Sequence, residues 1–353
     1  MITANPEMLV LARLSRGETG TAVAEELNIS TGLLSKWENG VIAPPPDRLA
    51  QLARHYRYPE IMFLQPERVR GTDSVCLHHR KQKLMPTRLL NKIEAEMYLA
   101  QIQVSRLLRH IDVDTPLEFV TLDPDEIGGP EKVARTLRAY WRVPSGPIRN
   151  LVMLVESAGG IVMFRDFETR KLDGMSSWTK DVPPLFYVNR HNSTDRSRWT
   201  IAHELGHLVM HSTPTAGHPE EEANAFAQEF LTPRAEIEAD LRRLTFTNLP
   251  SLKTYWRVSM KALIMTADRI GALPPGRVKS LYVQYSRAGF SQGEPWPLDD
   301  ETPTLIRDAI GVHLNQHRYT IEELARVMLI YPEEFVTNYN VQAGGIQQRL
   351  RVV

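Results

Sequence analysis

His203-Glu204-Leu205-Gly206-His207 is the stretch that decides how the chain is read. On a helix, residues four apart lie one above the other, so His203 and His207 can offer two imidazoles to one metal ion. The adjoining Glu204 then aims a carboxylate at water beside that ion. The surroundings fit a helix. Asn192-Ser193-Thr194-Asp195 supplies capping residues, and Trp199, Ile201, Ala202, Leu205, Leu208 and Val209 give an apolar stripe beside the polar one. Just upstream, Pro184-Leu185-Phe186-Tyr187-Val188-Asn189 reads as a short buried strand, bounded by Pro183 and by the polar run after Asn189. A strand therefore leads into the helix that carries the histidines.

A catalytic zinc site needs a third protein ligand and one position open to water. Beyond His207, Glu220-Glu221-Glu222-Ala223-Asn224-Ala225-Phe226-Ala227-Gln228-Glu229-Phe230-Leu231-Thr232-Pro233 forms a second helical pattern closed by a proline. Together with Arg198-Trp199-Thr200-Ile201-Ala202 and the pentapeptide that follows, it resembles the ImmA/IrrE metallopeptidases. The resemblance implies Glu220 as third ligand and Asn224 as its partner one turn on. Glu221 and Glu222 remain competitors; the spacing favours Glu220 because Asn224 shares its face and can orient the carboxylate. Further stretches are similar to the subgroup with an N-terminal helix-turn-helix: Gly146 to Leu151, Glu156 to Val162, Asp173-Gly174-Met175-Ser176, and Leu252-Lys253 through Trp256, Val258-Ser259 and Ala262-Leu263. One departure is Thr232, where an aliphatic residue usually precedes the closing proline.

The same resemblance implies Zn2+, or another divalent ion such as Mn2+, held by His203, His207 and Glu220, with Glu204 as general base. It also implies a protein substrate, a repressor or antitoxin-like regulator. His211, one turn after His207, reads as a cation at the helix end, and His218 as an exposed loop residue. These two and Tyr187 are the candidates for stabilising a tetrahedral intermediate. Gly174 to Trp178 reads as an edge strand able to pair with an extended substrate backbone.

The first sixty residues form a separate pattern. Met8, Leu9, Leu11, Ala12 and Leu14 suggest one helix, Thr21 to Ser30 a second with a tight polar turn, and Thr31 to Gly40 a third capped by Ser30. Pro44-Pro45-Pro46 announces another helix from Asp47 to Tyr56. The order resembles an XRE-type, phage-repressor-like helix-turn-helix. Ala24, Leu27, Ile29 and Leu34 would pack its two helices, while Thr31, Gly32, Ser35 and Lys36 would face the major groove of double-stranded DNA. This module has no basic excess; a local excess follows it in Arg68, Arg70, Arg80, Lys81, Lys83 and Arg88 against Glu67 and Asp73, a solvated linker or a phosphate contact.

Composition sets the outer limits. The 353 residues carry 42 Lys and Arg against 42 Asp and Glu, so bulk charge points to no polyanionic partner. A single cysteine, Cys76, excludes an internal disulfide and a cysteine-based zinc site. No apolar run approaches the ~18 residues that span a bilayer, and the N-terminus lacks a signal-peptide plan, so a cytoplasmic protein without membrane contact is expected. No internal repeat, low-complexity tract or glycine-rich phosphate loop stands out.

Helical spacing marks a connector from Leu89 to His110, and a helix from Glu131 to Trp141 opens the next domain. Ile148 to Val155 and Gly160 to Arg165 read as strands of a small mixed sheet. Leu249 to Leu273 reads as a second helix-turn-helix-like pair, Arg287 to Pro295 as a glycine-punctuated boundary, and Ile306 to His317 and Ile321 to Leu329 as tail helices. Homodimerisation or partner docking are the uses open to that tail.

The fold class is α+β: an all-α helix-turn-helix bundle over residues 1–65, a basic linker and helical connector over 66–128, a zincin-like, gluzincin-type metallopeptidase domain over 129–295, and a helical extension over 296–353. Two functions compete. One is a zinc endopeptidase fused to a DNA-binding module and cleaving a transcriptional regulator; the other is a DNA-binding regulator whose peptidase-like domain senses or docks without turnover. An intact Glu204 favours the first, because a site built only to bind has no need of a general base.

Overall fold

The computed structural model describes residues 3–66, 85–112, 115–179, 182–211 and 218–341. They form an α+β protein, mostly helical with one three-stranded sheet. Two compact units result, one uniting the residues up to 112 with those from 304 onward, the other running from 115 to 303. Connector and tail helices thus join the helix-turn-helix in one unit, and residues 296–303 stay with the other. Cys76 and most of the basic stretch lie outside the described residues; Arg88 lies within them and its Nε donates to the Gly17 carbonyl.

The first unit opens with α1 (Pro6–Ser15), α2 (Gly20–Glu26), α3 (Thr31–Glu38) and α4 (Pro46–Tyr56). Hydroxyls cap α2 and α3: Thr19 accepts from Ala22 N–H and Ser30 from Leu33 N–H, satisfying donors that a helix start leaves open. Val23, Ala24, Leu34 and Trp37 are buried, whereas Leu27 and Ile29 are only half-buried. Arg13 grips both carboxylate oxygens of Glu38, at 2.6 and 2.8 Å, and so ties α1 to α3. The connector is a long helix, α5 (Thr87–Leu108), that buries Ile93, Met97, Ala100, Val104 and Leu107.

The second unit begins with α6 (Pro124–Ile127), α7 (Pro130–Tyr140) and α8 (Leu151–Ser157). Here the sequence reading needs correction: Ile148 to Val155 is not a strand, for Leu151–Ser157 is helical. A short apolar run does not distinguish the two by periodicity. What fixes the helix is its start, where Asn150 accepts from Met153 N–H and Glu301 accepts from Leu151 and Val152 N–H at 2.7 and 3.1 Å.

The sheet comprises β1 (Ile161–Arg165), β2 (Gly174–Thr179) and β3 (Val182–Asn189) in the order β1-β3-β2. β3 is central, parallel to β1 and antiparallel to β2, which leaves β2 at an edge. Ser176 stands opposite Phe186 and Gly174 opposite Val188, so these four residues share one face. That face packs against α9 (Thr194–Met210), behind which lies α10 (Pro219–Leu231). Phe186, Val188, Ile201, Ala202, Leu205, Phe226 and Phe230 belong to one core.

Four helices complete this unit: α11 (Arg234–Leu241), α12 (Leu249–Trp256), α13 (Met260–Arg269) and α14 (Pro275–Arg287). Residues 288–303 then form a strap without helix or strand, held by its acidic side chains. Glu294 pairs with buried Lys253 at 2.9 Å and accepts from Met260 and Lys261 N–H at the start of α13. Asp300 accepts from Thr194 Oγ1 at the start of α9, at 2.8 Å. Glu301 pairs with Arg198, which is 1% exposed.

The tail returns to the first unit as α15 (Leu305–Asn315), α16 (Ile321–Val327) and α17 (Pro332–Tyr339). Two of these helices were legible in the sequence; α17, opened by Pro332, adds a third. Arg106 Nε donates to Val327 O at 2.7 Å, Tyr339 Oη to Gln103 Oε1 at 2.6 Å, and Arg16 pairs with Glu334 at 3.1 Å. The turn between α16 and α17 repeats that between α2 and α3. Asn28 and Leu329 are both left-handed, at φ 50 and 61, and Ile29 N–H to Ala24 O (2.9 Å) has its counterpart in Ile330 N–H to Ala325 O (3.0 Å). The residues repeat as well: Thr19, Val23, Ala24, Leu27, Ile29 and Leu34 have their counterparts in Thr320, Leu324, Ala325, Met328, Ile330 and Phe335, a repeat that did not stand out in the sequence because most of the pairs are similar rather than identical.

Candidate metal centre and nucleic-acid face

The histidines reach one point because α9 is continuous through them and α10 crosses close behind. Gly206 permits the approach: a Cβ there would stand 2.9 Å from Phe226 Cδ1, nearer than packed carbons come. Gly174 does the same beneath the strand, where a Cβ would meet Thr200 Cγ2 at 2.6 Å. Helix, helix and edge strand are thereby pressed together at the quoted pentapeptide.

His203, His207 and Glu220 offer ligand atoms that all lie within 4.8 Å of one another. The two Nε2 atoms are 3.0 Å apart, and each is 3.8 Å from a Glu220 carboxylate oxygen. A tetrahedral site with bonds of ~2.0–2.1 Å sets its donors about 3.3–3.4 Å apart, so these separations suit a small divalent cation. Two imidazoles and a carboxylate also suit zinc by donor type. His207 is fully buried and His203 and Glu220 are partly exposed, which leaves a side of the cluster open to solvent.

The groups around the cluster hold its members. Ser176 Oγ donates to Glu204 Oε2 at 2.7 Å, and the Glu204 residue is 3% exposed. Asn224 Oδ1 lies 3.1 Å from His203 Nδ1. The sequence reading set Asn224 to orient the Glu220 carboxylate; its contact is with the imidazole instead, since one turn of α10 carries it past the carboxylate to α9. His211 stands at the helix end, as read, and turns its ring inward: its Nδ1 is 3.0 Å from His207 Nδ1 and its Nε2 is 2.7 Å from Glu222 Oε2. Glu221 is exposed, so of the three adjacent glutamates only Glu220 joins the cluster.

Of the three candidates for an oxyanion donor, Tyr187 stacks on Phe167 at 5.5 Å, on the sheet face away from α9. His211 is engaged behind His207, and His218 is an exposed residue at the start of α10. Ser176 and the His211–Glu222 pair are what sequence reasoning missed. Ser176 sat in a stretch noted for its resemblance and as an edge strand, with no role given to its side chain; His211 lies four residues after His207, a spacing that did place it on the same helix face.

The root of α9 is a buried ionic cluster. Burial pulls the Arg198 guanidinium below its ordinary pKa in spite of Glu301. Burial opposes charge on Lys253 too, but hydrogen bonds to Glu294 and Asp195 outweigh it and raise its pKa. For Asp195 burial is likewise outweighed, by hydrogen bonds from Ser193 and Lys253 and by the lysine's charge, and its pKa falls.

In the first unit, Thr31, Gly32, Ser35 and Lys36 lie together on the exposed face of α3. The missing side chain of Gly32 faces open space, and Ser35 Oγ accepts from Asn39 Nδ2 at 3.0 Å.

Fold and site define a class: a helix-turn-helix bundle joined to a domain whose paired helices gather a metallopeptidase-type ligand set. Residues 155–268 match the family model of the IrrE N-terminal-like domain, a metallopeptidase family, and residues 10–62 match the helix-turn-helix model. The chain therefore carries an IrrE N-terminal-like domain behind an N-terminal helix-turn-helix domain. No curated protein and no solved structure matches the chain. Among the described residues no helix is long and apolar enough to cross a membrane.

Proposed function

We propose that this chain is a zinc-dependent endopeptidase that cleaves a repressor or antitoxin-like regulator and is brought to it by a DNA-binding module. The observation that carries the reading is the placement of Glu204, a buried carboxylate fixed by Ser176 on the residue next to His203. A divalent ion held by His203, His207 and Glu220 would polarise the scissile carbonyl and lower the pKa of water from 15.7 to about 7.

The chain's own groups do the rest. With Oε2 tied to Ser176, Glu204 takes the proton of the attacking water at Oε1 and returns it to the leaving amine nitrogen. Its rotamer is set before substrate arrives, so little reorganisation is needed at the moment of reaction. β2 is an edge strand and Ser176 belongs to it, so an extended substrate segment added along β2 would lie beside Glu204. Such strand addition gains main-chain hydrogen bonds and leaves sequence choice to the side-chain pockets. Thr31, Gly32, Ser35 and Lys36 are the proposed groove-facing residues, where Lys36 brings the one cation of the four.

Incubating the full chain, loaded with Zn2+, with a repressor or antitoxin-like regulator that it binds tests the proposal. Wild type should cut at one site, and Glu204→Gln should keep zinc and fold yet lose cleavage, because an amide does not accept the proton. Equal cleavage by Glu204→Gln overturns the mechanism. Zinc binding without cleavage of any regulator that the chain binds would favour the sensor alternative.

A further inference from the structure

We propose that Glu222 and His211 form a positioning relay that fixes the tautomer and the orientation of His207, and so holds one corner of the metal centre from behind. The inference rests on the metal-centre reading above and assigns two residues that it does not use.

The contacts of the two imidazoles dictate where their protons sit. His207 Nε2 faces the cluster, 3.0 Å from His203 Nε2 and 3.8 Å from Glu220 Oε1. A neutral imidazole that ligates through Nε2 carries its proton on Nδ1. His207 Nδ1 is 3.0 Å from His211 Nδ1, so His211 must present that nitrogen bare, as acceptor. The His211 proton then resides on Nε2, which is 2.7 Å from Glu222 Oε2, an acceptor when ionised. With Nε2 of His207 turned to the cluster as ligand, one placement of the protons satisfies the two contacts behind it, and exchanging the tautomer of either ring alone sets two N–H groups or two lone pairs against each other.

Burial gives the relay its grip. The His207 side chain is 0% exposed and that of His211 7%, so water does not readily replace either partner. α9 supplies both rings one turn apart and α10 supplies Glu222, two residues beyond Glu220. The same helix thus places one carboxylate in the ligand cluster and another behind it. Glu222 is a positioning residue here, acting on the centre through two imidazoles.

The test uses the full chain and two substitutions of equal length, Glu222→Gln, which keeps an acceptor, and Glu222→Met, which does not. Zn2+ affinity is read by chelator competition, and histidine tautomers by 15N NMR of the ring nitrogens. Wild type should show His211 protonated at Nε2 and His207 at Nδ1. Glu222→Met should lose about 10–100-fold in Zn2+ affinity and mix the tautomers, while Glu222→Gln recovers most of both. His211 protonated at Nδ1 in wild type overturns the relay, and this measurement needs no variant to fold. Zn2+ affinity and tautomers unchanged in a folded Glu222→Met overturn it too and leave the metal centre standing. If wild type takes up neither Zn2+ nor Co2+, the metal-centre reading falls and the relay falls with it.

Discussion

Glu220, Glu221 and Glu222 are chemically identical neighbours with three different surroundings, and mutation should separate them. Glu220→Ala should cost Zn2+ affinity beyond the ~10–100-fold attached to partners of a ligand, and Glu221→Ala, an exposed residue, should cost none. Chelator competition on the two variants decides it, and a loss at Glu221→Ala would move the assignment. His203→Ala and His207→Ala should each abolish tight binding, read as metal content after dialysis, because two remaining ligands do not hold a catalytic ion. At this scale the sequence was most legible where chemistry is bound to helical period: His203, Glu204 and His207 follow from spacing alone. It was least legible where a contact crosses between helices. That Asn224 meets His203, and that Glu222 meets His211, depends on how far α10 is displaced along α9, which no local pattern records.

Between α9 and α10 the tolerance is narrow, so small changes at helix contacts should register at the centre. Gly206→Ala places a methyl 2.9 Å from Phe226, and overpacking of this kind costs about 1–3 kcal/mol. We expect a lower Tm together with weaker Zn2+ binding, since the two helices carry the ligands between them. Lys253→Met strands Asp195 and Glu294 in the protein without their shared cation, and a loss of about 3–5 kcal/mol in urea unfolding is expected. Asp195 also predicts a pH dependence. Its folded pKa lies below the unfolded value of about 3.9, so its stabilisation is complete above that pH and is lost as pH falls through the depressed value. Urea titrations between pH 2 and 6 should show a shallower acid loss for Asp195→Asn than for wild type. The misread helix α8 belongs to this scale: the N–H groups at its start are met by Glu301, 150 positions away in Leu151's case, so its state is decided by the strap.

For the whole molecule, the sequence divides into consecutive segments and the structure does not. Helix-turn-helix, connector and tail share one unit although residues 115–303 intervene in the chain, so a chain ending at Pro303 should lose protection in α1 and α5 by hydrogen exchange while keeping its Zn2+ affinity. Unchanged exchange would show that the tail contributes no stability. The DNA reading makes its own prediction: Lys36→Ala should weaken binding to a duplex selected by the full chain, and the affinity should fall only gently with salt, because the helix-turn-helix segment has no cationic excess. The discontinuous unit also imposes an order in time. Residues 304–341 emerge from the ribosome some 240 residues after the helix-turn-helix, a delay of roughly 12–50 s at ~5–20 residues per second. Until it ends the apolar face of α5 lacks its tail partners, while the intervening unit of residues 115–303 is synthesised ahead of them. A nascent chain therefore completes the unit of residues 115–303 before the unit that holds the helix-turn-helix, and one whose translation stops early releases the first without a finished second.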